Sequence, residues 1–151
     1  MKHFVFLGIG IAITLVFFIL SYSQSFNIFE QLYFNQGFND QLYNLSMYPV
    51  LALIVIILTW GAAALYYYVI NSVNFDRWYH WAGVLGITTL VSPIVCYLYI
   101  DSALKNAGLA YGGESVQFAM QLLLMSAVLF VVASFSMRWW STNCRHTPIP
   151  Q

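Results

Sequence analysis

Four stretches of this chain run for about the depth of a lipid bilayer without one Asp, Glu, Lys, Arg or His, and that pattern leaves few folds open. They are "FVFLGIGIAITLVFFILSY" (4–22), "PVLALIVIILTWGAAALYYYVI" (49–70), "WAGVLGITTLVSPIVCYLYI" (81–100) and "VQFAMQLLLMSAVLFVVASFSM" (116–137). A hydrocarbon layer about 30 Å thick takes about 20 apolar residues at helical rise. Hydrocarbon offers backbone N–H and C=O groups no water, so each stretch must satisfy its own and form a helix. Only 7% of the residues are charged, where a soluble domain carries about 25%. The expectation is all-α: a polytopic membrane protein in which residues 1–151 form a single four-transmembrane-helix bundle.

The first stretch has a rival reading as a secretory signal, with Lys2 ahead of the apolar run and small residues at Ser21 and Ser23. Its apolar core, Phe4 to Leu20, is longer than the usual 7–15 residues, which favours an uncleaved anchor. Basic residues in short loops mark the cytoplasmic side. Lys2, Arg77, Arg138 and Arg145 fall on one side of the four spans and Lys105 on the other. Both termini are therefore expected in the cytoplasm and the chain in the plasma membrane, the inner membrane if the cell is Gram-negative.

The turn between the second and third spans, "YYYVINSVNFDRWYHWAG" (66–83), then lies on the cytoplasmic face. Tyr66, Tyr67, Tyr68, Trp78, Tyr79 and Trp81 read as an aromatic belt at headgroup depth, and Trp139 and Trp140 repeat it after the fourth span. Asp76, Arg77 and His80 in the same turn are candidates for contact with a partner. The first outer segment (23–47) carries Phe26, Phe29, Leu32 and Tyr33, then Phe38, Leu42 and Leu45, at helical spacing around Gly37. It predicts two short amphipathic helices capping the bundle, with Phe29, Tyr33 and Phe38 as further candidate contacts. Asn44-Leu45-Ser46 has the form of a glycosylation sequon but lies against the second span.

Within the membrane the polar groups are mild. Thr14, Thr59, Thr88, Thr89 and Ser92 offer hydroxyls, and Pro93 frees the carbonyl of Thr89. Gln117, Gln121 and Ser126 make a weakly polar stripe on the fourth helix, for helix packing or, with the Pro93 kink, for lining a pore. Gly8 with Ala12, Gly61 to Ala64, and Gly83 with Gly86 are candidates for close helix contacts. Ala119, Ser126 and Ala133, seven apart, suit left-handed packing. Gly112 and Gly113 break the chain before the fourth helix, with Ser115 as its cap. In the tail, Pro148 and Pro150 end any helix.

The function classes narrow accordingly. No mid-depth carboxylate is present for an ion-coupled carrier. His3, His80 and His146 all lie at one edge, which gives no facing pair for haem. Cys144 and His146 fall short of a four-ligand zinc site. Cys96 and Cys144 form no C-x-x-C pair. No cofactor is expected, and zero net charge gives no pull toward nucleic acid. The favoured expectation is a non-enzymatic membrane subunit, a scaffold or anchor in a bacterial envelope complex of the secretion, injection or defence type. Its partners would be other membrane proteins or copies of itself, besides the lipid bilayer. The alternatives are an oligomeric pore and an immunity-type protein against a membrane-active toxin. In outline, four helices with both ends inside, the chain resembles colicin immunity proteins, an analogy of architecture alone.

Overall fold

The structure, a computed structural model, describes residues 2–149 without the side chain of Lys2. Pro150, read above as a helix stop, lies outside the described residues. Six α-helices follow one another: α1 (Lys2–Tyr22), α2 (Ile28–Leu32), α3 (Gln36–Asn44), α4 (Met47–Ala64), α5 (Trp78–Asn106) and α6 (Gly112–Met137). Among the described residues there is no strand. Four helical segments are long and apolar enough to cross a membrane: His3–Tyr22, Met47–Ile70, Trp78–Asn106 and Gly112–Trp140. Each contains one of the predicted spans.

Two boundaries differ from the expectation. α5 runs on to Asn106, and its exposed last turn carries a Lys105–Asp101 ion pair of 2.7 Å at i,i+4 spacing. It stops in a glycine cap. Gly108 takes φ +73°, its N–H donates to the Lys105 carbonyl, and the Leu109 N–H donates to the Leu104 carbonyl. Leu109 also packs on the core cluster that contains Leu104, completing a Schellman motif. The break therefore falls at Gly108, ahead of Gly112 and Gly113, which already belong to α6. Ser115 does not cap: its hydroxyl donates back to the Tyr111 carbonyl at 2.8 Å. Glu114 does sit in the first turn of α6, where the helix dipole favours an acid.

α4 and α6 form the central pair. Each packs against the other and against both α1 and α5, which flank the pair. Phe17, Leu51, Val55, Cys96, Ile100, Leu104, Phe118, Leu122 and Leu129 fill the middle. Ala119, Ser126 and Ala133 are all buried on α6, so the seven-residue repeat faces inward. Indole N–H groups bridge helices: Trp60 to the Thr14 hydroxyl at 3.0 Å, and Trp81 to the Ser134 hydroxyl at 3.2 Å. Thr59 and Thr88 donate to carbonyls one turn back in their own helices. Pro93 is buried within α5, and the hydroxyls of Thr89 and Ser92 beside it have no hydrogen-bond partner.

The small-residue contacts fall elsewhere than expected. A methyl group built on Gly8, Gly61, Gly83 or Gly86 would meet nothing within 4 Å. Gly10 makes the close approach: the same methyl there would overlap the Ser136 hydroxyl and stand 2.7 Å from the Ser136 Cβ. Rotating the hydroxyl away does not relieve the Cβ contact, so α1 and α6 would have to part. Gly10→Ala is expected to cost about 1–3 kcal/mol through overpacking, and Gly8→Ala to leave stability the same or raise it by up to about 1 kcal/mol through helix propensity. Thermal unfolding of the two variants in one detergent checks the pair.

Candidate functional site

The polar end that holds both termini is built from the sequence "LYYYVIN". Residues Leu65–Ile70 form a π-helical turn at the end of α4, closed by the Asn71 N–H on the Tyr66 carbonyl at 3.1 Å. That turn points Tyr66 and Tyr67 inward, and both are fully buried. Their hydroxyls donate to the carbonyls of Phe75 (2.7 Å) and Thr147 (3.3 Å). These two rings therefore do not belong to the aromatic belt read from the sequence. Tyr68, Trp78, Tyr79 and Trp140 are exposed, as a belt requires, with Trp81 and Trp139 half-buried.

Asn71 ties the C-terminal tail to this turn. It adopts φ +27°, a backbone that asparagine tolerates better than most side chains. Its Oδ1 accepts from the Ser141 hydroxyl (2.8 Å) and the Asn143 N–H (3.0 Å). Its Nδ2 donates to the Thr142 hydroxyl (2.9 Å), and its carbonyl accepts from the Asn143 Nδ2 (2.6 Å). The tail is thus held by its own chain rather than offered as a free peptide. Cys144 is buried behind it, unpaired like Cys96, with its Sγ 3.7 Å from the Ser72 carbonyl. Burial pushes the Cys144 thiol up, ahead of a smaller opposing effect of the Ser72 backbone.

The predicted contact residues separate. Asp76 and Arg77 stay together and, with Trp78, Tyr79 and His146, line an open depression of about 410 Å³. They do not pair: among the described residues the ion pair is Lys105–Asp101. The Arg77 guanidinium lies 5.9 Å from the Tyr79 ring. His80 leaves the group and packs against the rings of Phe75 (4.9 Å) and Tyr79 (4.4 Å).

At the opposite end α2 and α3 fold over the bundle. Asn27 and Asn35 cap them, accepting from the N–H of Phe29 and Phe38 respectively. Phe29 and Phe38 are fully buried, so neither presents a surface to a partner in this fold. Phe29 sits among Phe17, Tyr48 and Phe118 at ring distances of 5.8, 5.9 and 5.9 Å, and Phe38 also packs on Phe118. Tyr33 is half-buried and donates to Gln117 Oε1 at 3.0 Å. The rings left outside are Phe26 and Phe34, the latter 75% exposed. Phe34 lies off the stripe that marks the buried rings, and its departure from that stripe was the available signal.

The proposed pore stripe also divides. Gln117 is spent on Tyr33, Gln121 is exposed, and Ser126 and Pro93 are buried. The Ser126 hydroxyl has no partner. Among the described residues no three His, Cys, Asp or Glu side chains gather as metal ligands. Compared with family models, curated proteins and solved structures, the chain matches none.

Asn71→Ala is expected to release the tail at a cost of about 1–3 kcal/mol, the range for stranding buried polar groups. Maleimide labelling of Cys144 near pH 8 checks this, slow in the parent and about fivefold to 150-fold faster in the variant, by the same free-energy range. A thiol raised by burial disfavours its own ionisation. Docking of the tail is therefore complete below the ordinary thiol range, about 8.5, and weakens as pH rises through and above it.

Proposed function

We propose that this protein is a non-enzymatic integral membrane subunit, a scaffold or anchor in a bacterial envelope complex of the plasma membrane that gathers other transmembrane helices around it. The observation that supports this best is where its glycines lie. Gly8, Gly61, Gly83 and Gly86 sit on the exposed outside of α1, α4 and α5, with nothing within 4 Å of the methyl each lacks. In lipid, small residues matter chiefly where another helix comes close. Gly61 also lines an apolar groove of about 250 Å³ between α4 and α5, with Leu58, Leu65, Ile87 and Val91.

Both termini are placed in the cytoplasm on the basic residues alone. α1 is retained in this reading because Gly10, Thr14 and Phe17 are part of the packed bundle. The pore alternative has less to draw on, since Gln117 is taken up by Tyr33 and Ser126 is buried within the monomer. An immunity-type protein would use the same outer surface, with the helices of a toxin as the partner.

Gly8→Leu, Gly61→Leu and Gly83→Leu separate partner contact from folding, because each side chain starts from a Cβ position with nothing of the monomer within 4 Å. Native copurification from gently solubilised membranes is expected to bring down partner subunits with the parent chain and to lose them in at least one variant, with no thermal midpoint lowered. A parent that emerges alone, or variants that keep every partner, would count against the scaffold. Reporter fusions at both ends are expected to read the same cytoplasmic side.

A further inference from the structure

Arg138, at the end of α6, is 6% exposed. Its Nε and Nη1 have no hydrogen-bond partner, nor has the Nε1 of neighbouring Trp139, and all three atoms are shielded from solvent. The guanidinium lies over the rings of Trp139 (4.3 Å) and Phe135 (5.1 Å) and pairs with no carboxylate among the described residues. Arginine cannot shed its proton to escape such a site, and an unpaired buried charge is costly. Ring contacts return only part of that cost. Such a site suits an anion.

The second observation is a groove that ends at the same rings. Between α1 and α6 runs an apolar furrow of about 210 Å³ lined by Phe6, Ile9, Gly10, Ile13, Val132 and Phe135. Phe135 carries the guanidinium, and Phe6 stacks on Trp139 at 5.3 Å. His3 also meets Trp139 at 5.3 Å, which adds a second basic side chain at headgroup level. A donor cluster at the mouth of an acyl-sized furrow, beside the aromatic belt, matches an anionic phospholipid at both of its parts. The geometry points to a phospholipid seat on the α1–α6 seam: the lipid phosphate on Arg138 and the Trp139 indole N–H, and one acyl chain in the furrow. The long arginine stem lets the guanidinium turn from the ring faces toward the headgroup.

The test uses the full chain purified in mild detergent, with native mass spectrometry counting retained lipid from equal mixtures of phosphatidylglycerol and phosphatidylcholine. The parent is expected to prefer phosphatidylglycerol by about tenfold, the value of one charge-assisted contact. Arg138→Gln should abolish that preference and Arg145→Gln, a basic residue of the same end, should keep it. Ile9→Trp, which fills the furrow from its exposed side, should lower retention of the lipid without altering Arg138 and serves if Arg138→Gln fails to fold. No preference in the parent, equal loss in Arg145→Gln, or full retention in Ile9→Trp overturns the seat. Displacement of the lipid by millimolar inorganic phosphate alone would mean that the site takes free phosphate, and would overturn the acyl part of the assignment.

Discussion

The bundle depends on a solvent that cannot hydrogen-bond. In hydrocarbon an unsatisfied backbone group costs several kcal/mol, and the four helices long and apolar enough to cross a membrane close backbone bonds within themselves. The helices gain no hydrophobic advantage by leaving lipid for one another, because lipid is as apolar as leucine. What holds them together must be contact geometry and polar bonds across the seams. α1 illustrates both. Most of its large side chains face outward, yet it is fixed by the Gly10 approach to Ser136 and by Trp60 reaching Thr14.

The two ends solve a different problem with different means. Once a helix leaves hydrocarbon its last carbonyls and first N–H groups need partners. At one end α2 and α3 supply an aromatic lid, with Phe29 and Phe38 pressed onto Phe118 and buried Asn27 donating to the Ser21 carbonyl. At the other the tail folds back and Asn71 satisfies it with its side chain and its own carbonyl. The π-helical turn makes this possible, because the added residue per turn rotates Tyr66 and Tyr67 toward the tail.

The fold class was legible because its cause is local: a run without charge reads the same whatever surrounds it. The rings of the first loop were legible as helical stripes, yet their direction was not. Phe29 and Phe38 look alike as an inward face and as a docking face until a core exists to receive them. Gly8 with Ala12 drew attention by spacing, whereas Gly10 makes the contact, because rotation of a helix about its axis is set by its neighbours. Asn71 carried no signal at all. Its partners lie some seventy positions along the chain, and only the closed bundle brings them together.

The surface that faces lipid has the least legible chemistry, since lipid and a partner helix both ask it to be apolar. Glycine is the exception. In a helix interior it costs roughly 1 kcal/mol relative to alanine, and lipid gives nothing back for a missing methyl. Gly10 is repaid by the approach of α6, and Gly108 by a left-handed cap. Gly8, Gly61, Gly83 and Gly86 have no such return inside the monomer. They lie on three different helices, so the scaffold proposed above would receive its partner helices from more than one direction around the bundle rather than along a single edge.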